Sequence, residues 1–166
     1  AASDQLLTLA RVPKGLARLA YEESVRSLDK QERLLDELRA RTGLLLAASS
    51  LAISFVGRPA FQAADTLVVV LGIVAFAISV AASLYVLLPK ARKFVFSLEG
   101  SAVFEELYEF RDEMPEVYRR LSYDLDRFWD ENDAVLTQLF RWFQIAAVAL
   151  AAEIILLLTS LSGTLF

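Results

Sequence analysis

One carboxylate, Glu153, interrupts an apolar run that extends from residue 142 to residue 166. A run of that length crosses a bilayer and places Glu153 near the midplane. Ionisable groups are costly there, and they face a bundle interior, a partner or a water-filled path. No Lys or Arg lies within residues 43–57, 66–88 or 142–166 to neutralise it. Glu153 is therefore expected to be a pore-facing or proton-responsive group, or a contact between copies of the chain. The alternative is a protonated carboxyl bonded to a neighbouring serine. Serines are available: Ser49, Ser50 and Ser54 in one apolar segment, and Ser79 and Ser83 in another. Ala75, Ser79 and Ser83 recur every four residues, a spacing of small side chains that lets helices approach closely. Together with Glu153 these five serines form the expected pore or oligomer contact. The alternative for most of them is ordinary packing within one protomer.

Other chemistry is sparsely supplied. The chain has no Cys and no His, which removes thiolate chemistry, disulfides, the commonest metal ligand and the usual general base. The carboxylate pairs Glu105-Glu106, Asp112-Glu113 and Asp124-Asp126 are spread along helical segments and read as solvated charges. Asp130, Glu131 and Asp133 form an acidic cluster without a calcium-loop pattern behind it. No phosphate-binding glycine loop or nucleophile with an adjacent base is present. The expectation is a protein that is not an enzyme, with no cofactor and no metal. With a net charge of -4, no general basic patch suggests nucleic acid.

The elements that must position these residues are helices. Of the 166 residues, 56% are hydrophobic, and the excess is concentrated in three blocks. Residues 66–88 carry no charge and cover about 34 Å as a helix, enough for the hydrocarbon core. Pro89 and the basic residues Lys90, Arg92 and Lys93 end this block. Residues 142–163 form another block, interrupted only by Glu153. Residues 43–57 are shorter, and Thr42 with Pro59, Ala60 and Phe61 extend them to 43–61. The expected fold is all-α: an integral membrane helical bundle with three transmembrane helices and a cytoplasmic helical extension. Its parts are 1–42, an amphipathic helix; 43–61, 66–88 and 142–166, the spans; and 89–141, a helical connection. Three spans without inverted repeats or broken helices argue against a transporter.

Basic residues give the orientation. Of 17 Lys and Arg, eight precede residue 43, Arg58 lies between the first two blocks, and eight fall in 89–141. The N-terminus and the long connection are expected in the cytoplasm, and the C-terminus outside. Arg41, Lys90 and Trp142 serve as membrane-interface anchors, with Phe143 beside Trp142 and Phe61 at the outer boundary. No secretion signal is expected, because charges are spread through the first 42 residues.

The cytoplasmic segments carry helical patterns. Leu16, Leu19, Leu28, Leu35 and Leu38 recur among charges after Pro13, an amphipathic helix running into the first span. Gly15 and Gly43 weaken it without breaking it. Ser101 is expected to cap a helix over 102–114, and Pro115 to open the next. From there Leu121, Leu125, Phe128, Asn132, Val135, Leu139 and Trp142 repeat at spacings of four and three, a heptad seam. Asn132 is its polar position and fixes register, or else is exposed on an irregular face. The first and third long helices are expected as antiparallel neighbours that cover each other, with 102–111 packed against them.

The stretch from Leu35 to Ser49 (LDELRARTGLLLAAS), followed by Ser54-Phe55-Val56-Gly57, resembles a group of small bacterial membrane proteins. In these a charged helix leads into a membrane hairpin closed by Leu-Pro, here Leu88-Pro89. A helix with Leu-Asp and Asn follows, here Leu125-Asp126 and Asn132, before a last span carrying Glu, here Glu153. The layout is similar to the SLATT and Pycsar-type transmembrane effectors of anti-phage defence. That resemblance implies a homo-oligomeric effector of the bacterial inner membrane. It would form or gate a pore, or disrupt the membrane, on a nucleotide signal or through a cytoplasmic protein partner. Lipids and further copies of the chain would be its other partners. The other reading is a non-enzymatic anchor or scaffold that binds a cytoplasmic partner through its helices.

Overall fold

The computed structural model describes residues 14–57, 66–88, 94–96, 100–110 and 112–162. Helix α1 is Lys14–Ala52 and ends in a π-helical turn, Ile53–Gly57. Helix α2 is Thr66–Leu87, and α3 is Gly100–Leu107, followed by a 3-10 turn, Tyr108–Phe110. Helix α4 is Met114–Ser162. The described residues contain no strand. The protein is therefore all-helical, and α2 and α4 are long and apolar enough to cross a membrane. The apolar end of α1 does not reach that length by itself, since about 20 residues are needed. Pro13, Phe61, Pro89, Lys90, Arg92 and Lys93 lie outside the described residues.

The chain forms two compact units, 1–34 with 90–135 and 35–89 with 136–166. In the first, Ala17, Leu28, Leu107, Leu121 and Leu125 are buried. Charged side chains take the outer faces in i,i+3 and i,i+4 pairs such as Arg18–Glu22 and Arg127–Asp124. Leu16 and Leu19, expected on the apolar face, are instead 60% and 58% exposed. The buried face of α1 runs through Ala17, Ser24, Leu28 and Gln31; at 100° per residue Leu16 falls about a quarter turn from it and Leu19 nearly opposite.

The two long helices of this unit run parallel, not antiparallel. Tyr21 meets Tyr118 with ring centroids 5.5 Å apart, Ser24 bonds Asp126, and Gln31 bonds the backbone of Trp129. The numbers rise together along both helices. Two reversals of direction between α1 and α4 restore the original direction, and the antiparallel expectation overlooked the second.

The expected helix over 102–114 is also shorter. It begins at Gly100, so Ser101 lies inside it, and gives way to the 3-10 turn at Tyr108. The Glu113 amide then donates to the Phe110 carbonyl at 2.8 Å. Pro115 prevents one helix from running through, because its ring collides with the carbonyl four residues earlier. In the first turn of α4 that missing N–H costs nothing. Glu116 adds a negative charge at the helix N-terminus, where it is favourable.

The second unit buries small and polar residues beside Leu38, Leu139, Leu150 and Leu157 and exposes many other large apolar side chains. On α2 the buried residues are Gly72, Ala75, Ser79, Ala82, Ser83 and Val86. Leu67, Val70, Ile73 and Ile78 of the same helix are exposed. On α1, Thr42 and Ser49 are fully buried while Leu44 and Phe55 are 72% and 77% exposed. On α4, Ala146, Ala149 and Glu153 are buried and Val148 and Ile155 exposed.

Candidate functional site

Ser49 and Glu153 meet inside the second unit. The Ser49 hydroxyl donates to Glu153 Oε2 at 2.6 Å, and Glu153 is 1% exposed. The other carboxyl oxygen, Oε1, is buried with no hydrogen-bond partner among the described residues. Helix periodicity sets up both residues. Thr42 and Ser49 are two turns apart on one face of α1, as are Ala146 and Glu153 on α4. Thr42 satisfies its hydroxyl on the Leu38 carbonyl at 2.7 Å. Within this unit that leaves Ser49 as the described α1 hydroxyl that turns to α4.

The arrangement suits a neutral carboxyl. One oxygen accepts from Ser49, and the other has no hydrogen-bond partner among the described residues. An ionised Glu153 would need donors on both oxygens, and an uncompensated buried charge is expensive. The pair can therefore hold a proton inside the helical unit, or release it only where water or a cation gains access.

The other serines divide. Ser79, fully buried, donates to the Ala146 carbonyl at 3.3 Å. Only small residues allow α2 to approach the α4 backbone so closely. Ser83 is buried on the same face, and its hydroxyl has no partner among the described residues. Ser50 and Ser54 are exposed and bond back to the carbonyls of Leu46 and Ser50 on their own helix. They do not join Glu153. Near one end of this unit Trp142 packs against Tyr85, with centroids 4.8 Å apart. Arg41 is exposed and paired with Glu37; Lys90 lies outside the described residues.

The heptad residues of α4 form a stripe. Leu121, Leu125, Asn132 and Leu139 are buried, with Phe128 and Val135 half-buried. Asn132 has a partner that the sequence did not reveal. Its Oδ1 accepts from the Val95 amide at 3.1 Å, and its Nδ2 donates to the Val95 carbonyl at 2.9 Å. The side-chain amide thus pairs with both backbone groups of one residue in the non-helical stretch 94–96.

Two further polar contacts were missed. The Ser24 hydroxyl donates to Asp126 Oδ1 at 2.8 Å, and Gln31 Nε2 to the Trp129 carbonyl at 3.1 Å. A signal for them existed. Ser24, Leu28, Gln31, Leu35, Leu38 and Thr42 follow four-three spacing, with Ser49 seven residues further, all within 8% exposure. Carrying the α4 seam past Trp142 reaches Ala146, Ala149 and Glu153 in the same way.

In the first unit, Glu116 is bonded by Arg119 Nε at 2.8 Å and by Arg120 Nε at 3.1 Å. These bonds, Arg119 first, lower its pKa to about 2. The Arg120 guanidinium also lies 3.9 Å from the centre of the Phe110 ring, tying the 3-10 turn to α4. Among the described residues no group of three acidic side chains converges to hold a metal ion. No family model, curated protein or solved structure matches the chain.

Proposed function

We propose that the chain is an integral membrane protein of three spans, with the end of α1 joining α2 and α4 in the bilayer. The support is the apolar outer surface of the second unit and the polar groups beneath it. Leu44, Phe55, Leu67, Ile73, Val148 and Ile155 face outward, while Ser49, Ser79, Ser83 and Glu153 are buried beside Leu38, Leu139 and Leu157, a surface that lipid accepts and water penalises. Lys and Arg distribution puts residues 1–42 and 89–141 on the cytoplasmic side of a bacterial inner membrane.

Within that frame the protein acts as a homo-oligomeric effector that forms or gates a path through the membrane on a cytoplasmic signal. This is the behaviour implied by its resemblance to SLATT and Pycsar-type effectors. The observation that carries the reading is Glu153, 1% exposed and bonded to Ser49, with its second oxygen unpartnered among the described residues. An anchor needs apolar residues alone, whereas a midplane carboxyl costs stability. The Ser49–Glu153 bond is the closed state, and opening exchanges it for water or for a neighbouring copy.

The test is particle mass together with ion flux from liposomes, for wild type, Glu153→Gln and Glu153→Leu. Gln keeps a bond to Ser49, and Leu removes the polar centre. The reading expects a defined oligomer whose triggered flux changes in both variants. A monomer that never conducts would overturn it. A second reading, an anchor for a cytoplasmic partner, draws on exposed Leu16 and Leu19, three residues apart on α1. It expects Leu16→Asp with Leu19→Asp to abolish function while Glu153→Gln is silent.

A further inference from the structure

We propose that the second unit binds an anionic phospholipid in the groove between α2 and α4, a reading that rests on its placement in a membrane. The groove has a volume of about 640 Å³, within the range of small-molecule sites. Val74 and Ile78 of α2 form one wall, and Val148, Ala152 and Leu156 of α4 form the other. The polar exceptions are Arg141 and Gln144, one turn apart at one end. The groove is therefore amphipathic along its length, a cation at its mouth and hydrocarbon beyond.

Three features select the occupant. Arg141 is exposed and makes no ion pair among the described residues. Its planar fork of donors matches a phosphate. Its neighbour Trp142 packs with Tyr85, an aromatic pair of the kind found at the lipid–water boundary. From Arg141 to Leu156 the helix rises about 22 Å, and one leaflet of hydrocarbon is about 15 Å deep. A phosphate at Arg141 thus leaves room for one acyl chain along Val148 and Ala152. A second copy docked by this same face would bring no acid, because the lining holds no Asp or Glu. Arg141 would then be buried without a counter-charge, which is strongly unfavourable.

Charge makes the site selective. A basic side chain near the membrane surface favours anionic over neutral headgroups by about fivefold. The chain has two tryptophans, so Trp129→Phe leaves Trp142 as the reporter beside the site. The protein is reconstituted in bilayers with phosphatidylglycerol or phosphatidylcholine brominated on the acyl chains, and quenching of Trp142 is titrated. Wild type should prefer the brominated phosphatidylglycerol about fivefold, and Arg141→Gln should bring the two lipids to parity. Ala152→Phe, at an exposed position on the groove wall, should weaken quenching by the anionic lipid at low mole fraction. Equal quenching by both lipids in wild type, or a preference untouched by Arg141→Gln, would overturn the proposal. So would a particle mass that halves in Ala152→Phe without headgroup preference, since a second copy would then fill the groove. Absence of quenching by either lipid would remove the membrane reading itself.

Discussion

The two units are built largely from the same two helices and differ most in what they expose. In the first, Leu28, Leu121 and Leu125 are inside and Arg, Lys, Glu and Asp outside. In the second, Leu38, Leu139 and Leu157 are inside together with Thr42, Ser49, Ser79, Ser83 and Glu153, while Leu44, Phe55, Leu67 and Val148 are outside. Four-three spacing persists through both. Helix geometry decides which positions face inward, and on the membrane reading proposed above the surrounding solvent decides what the outward positions contain. Water drives large apolar groups inward. Lipid gives them no reason to leave the surface and rewards close backbone approach instead.

The comparison breaks most severely where charge enters the first unit's seam. Leu125→Asp should cost about 3–5 kcal/mol as an uncompensated buried charge. Hydrogen exchange should lose protection across residues 118–132 while α2 stays protected. A matched pair then sharpens the contrast. Tyr123 and Val148 are 66% and 70% exposed. Tyr123→Asp should stay within about 0.5 kcal/mol, whereas Val148→Asp should cost about 2.5–3.5 kcal/mol of membrane insertion. Equal tolerance of both in a membrane-integration assay would refute the difference in solvent. Asn132→Ala comes next. Losing two bonds to Val95 should lower stability by about 1–2 kcal/mol and release residues 94–96 to proteolysis.

The smallest effect concerns Glu116. Its folded pKa, about 2 beside Arg119 and Arg120, lies below its ordinary value of 4.5. Its contribution is therefore complete above pH 4.5 and disappears as pH falls through about 2. The group is partly solvated, so screening holds the worth of the pair to about 0.5 kcal/mol. Glu116→Gln should flatten the acid limb of a stability curve by that amount and leave pH 7 function intact.

Much of this was legible in the residues. The uncharged block of α2 and the seam from Leu121 to Trp142 announce their helices, because periodicity and length are local properties. Glu153 stands out by type alone. Its serine partner was open among five candidates, since choosing Ser49 requires knowing that α1 and α4 run parallel and in which register. The Asn132 pairing with Val95 was illegible for a different reason. Val95 offers backbone groups, which every residue carries. Gln31 and Ser24 were readable in principle, as polar residues at seam positions between Leu28 and Leu35, but a search for leucines alone passes over them.

Parallel pairing of α1 with α4 also orders events in time. The contacts Ser24–Asp126 and Ser49–Glu153 join residues 102 and 104 apart in the chain. At a synthesis rate of about 5–20 residues per second, α4 follows α1 by roughly 5–20 s. Through that interval the inward face of α1, with Gln31, Thr42 and Ser49, has no native cover from α4. Closure then bridges a loop of about a hundred residues, a slow step by the entropy of bringing distant segments together. A nascent chain beside a finished neighbour meets a competing α4 during that wait, and exchange of the last helix between copies becomes kinetically open.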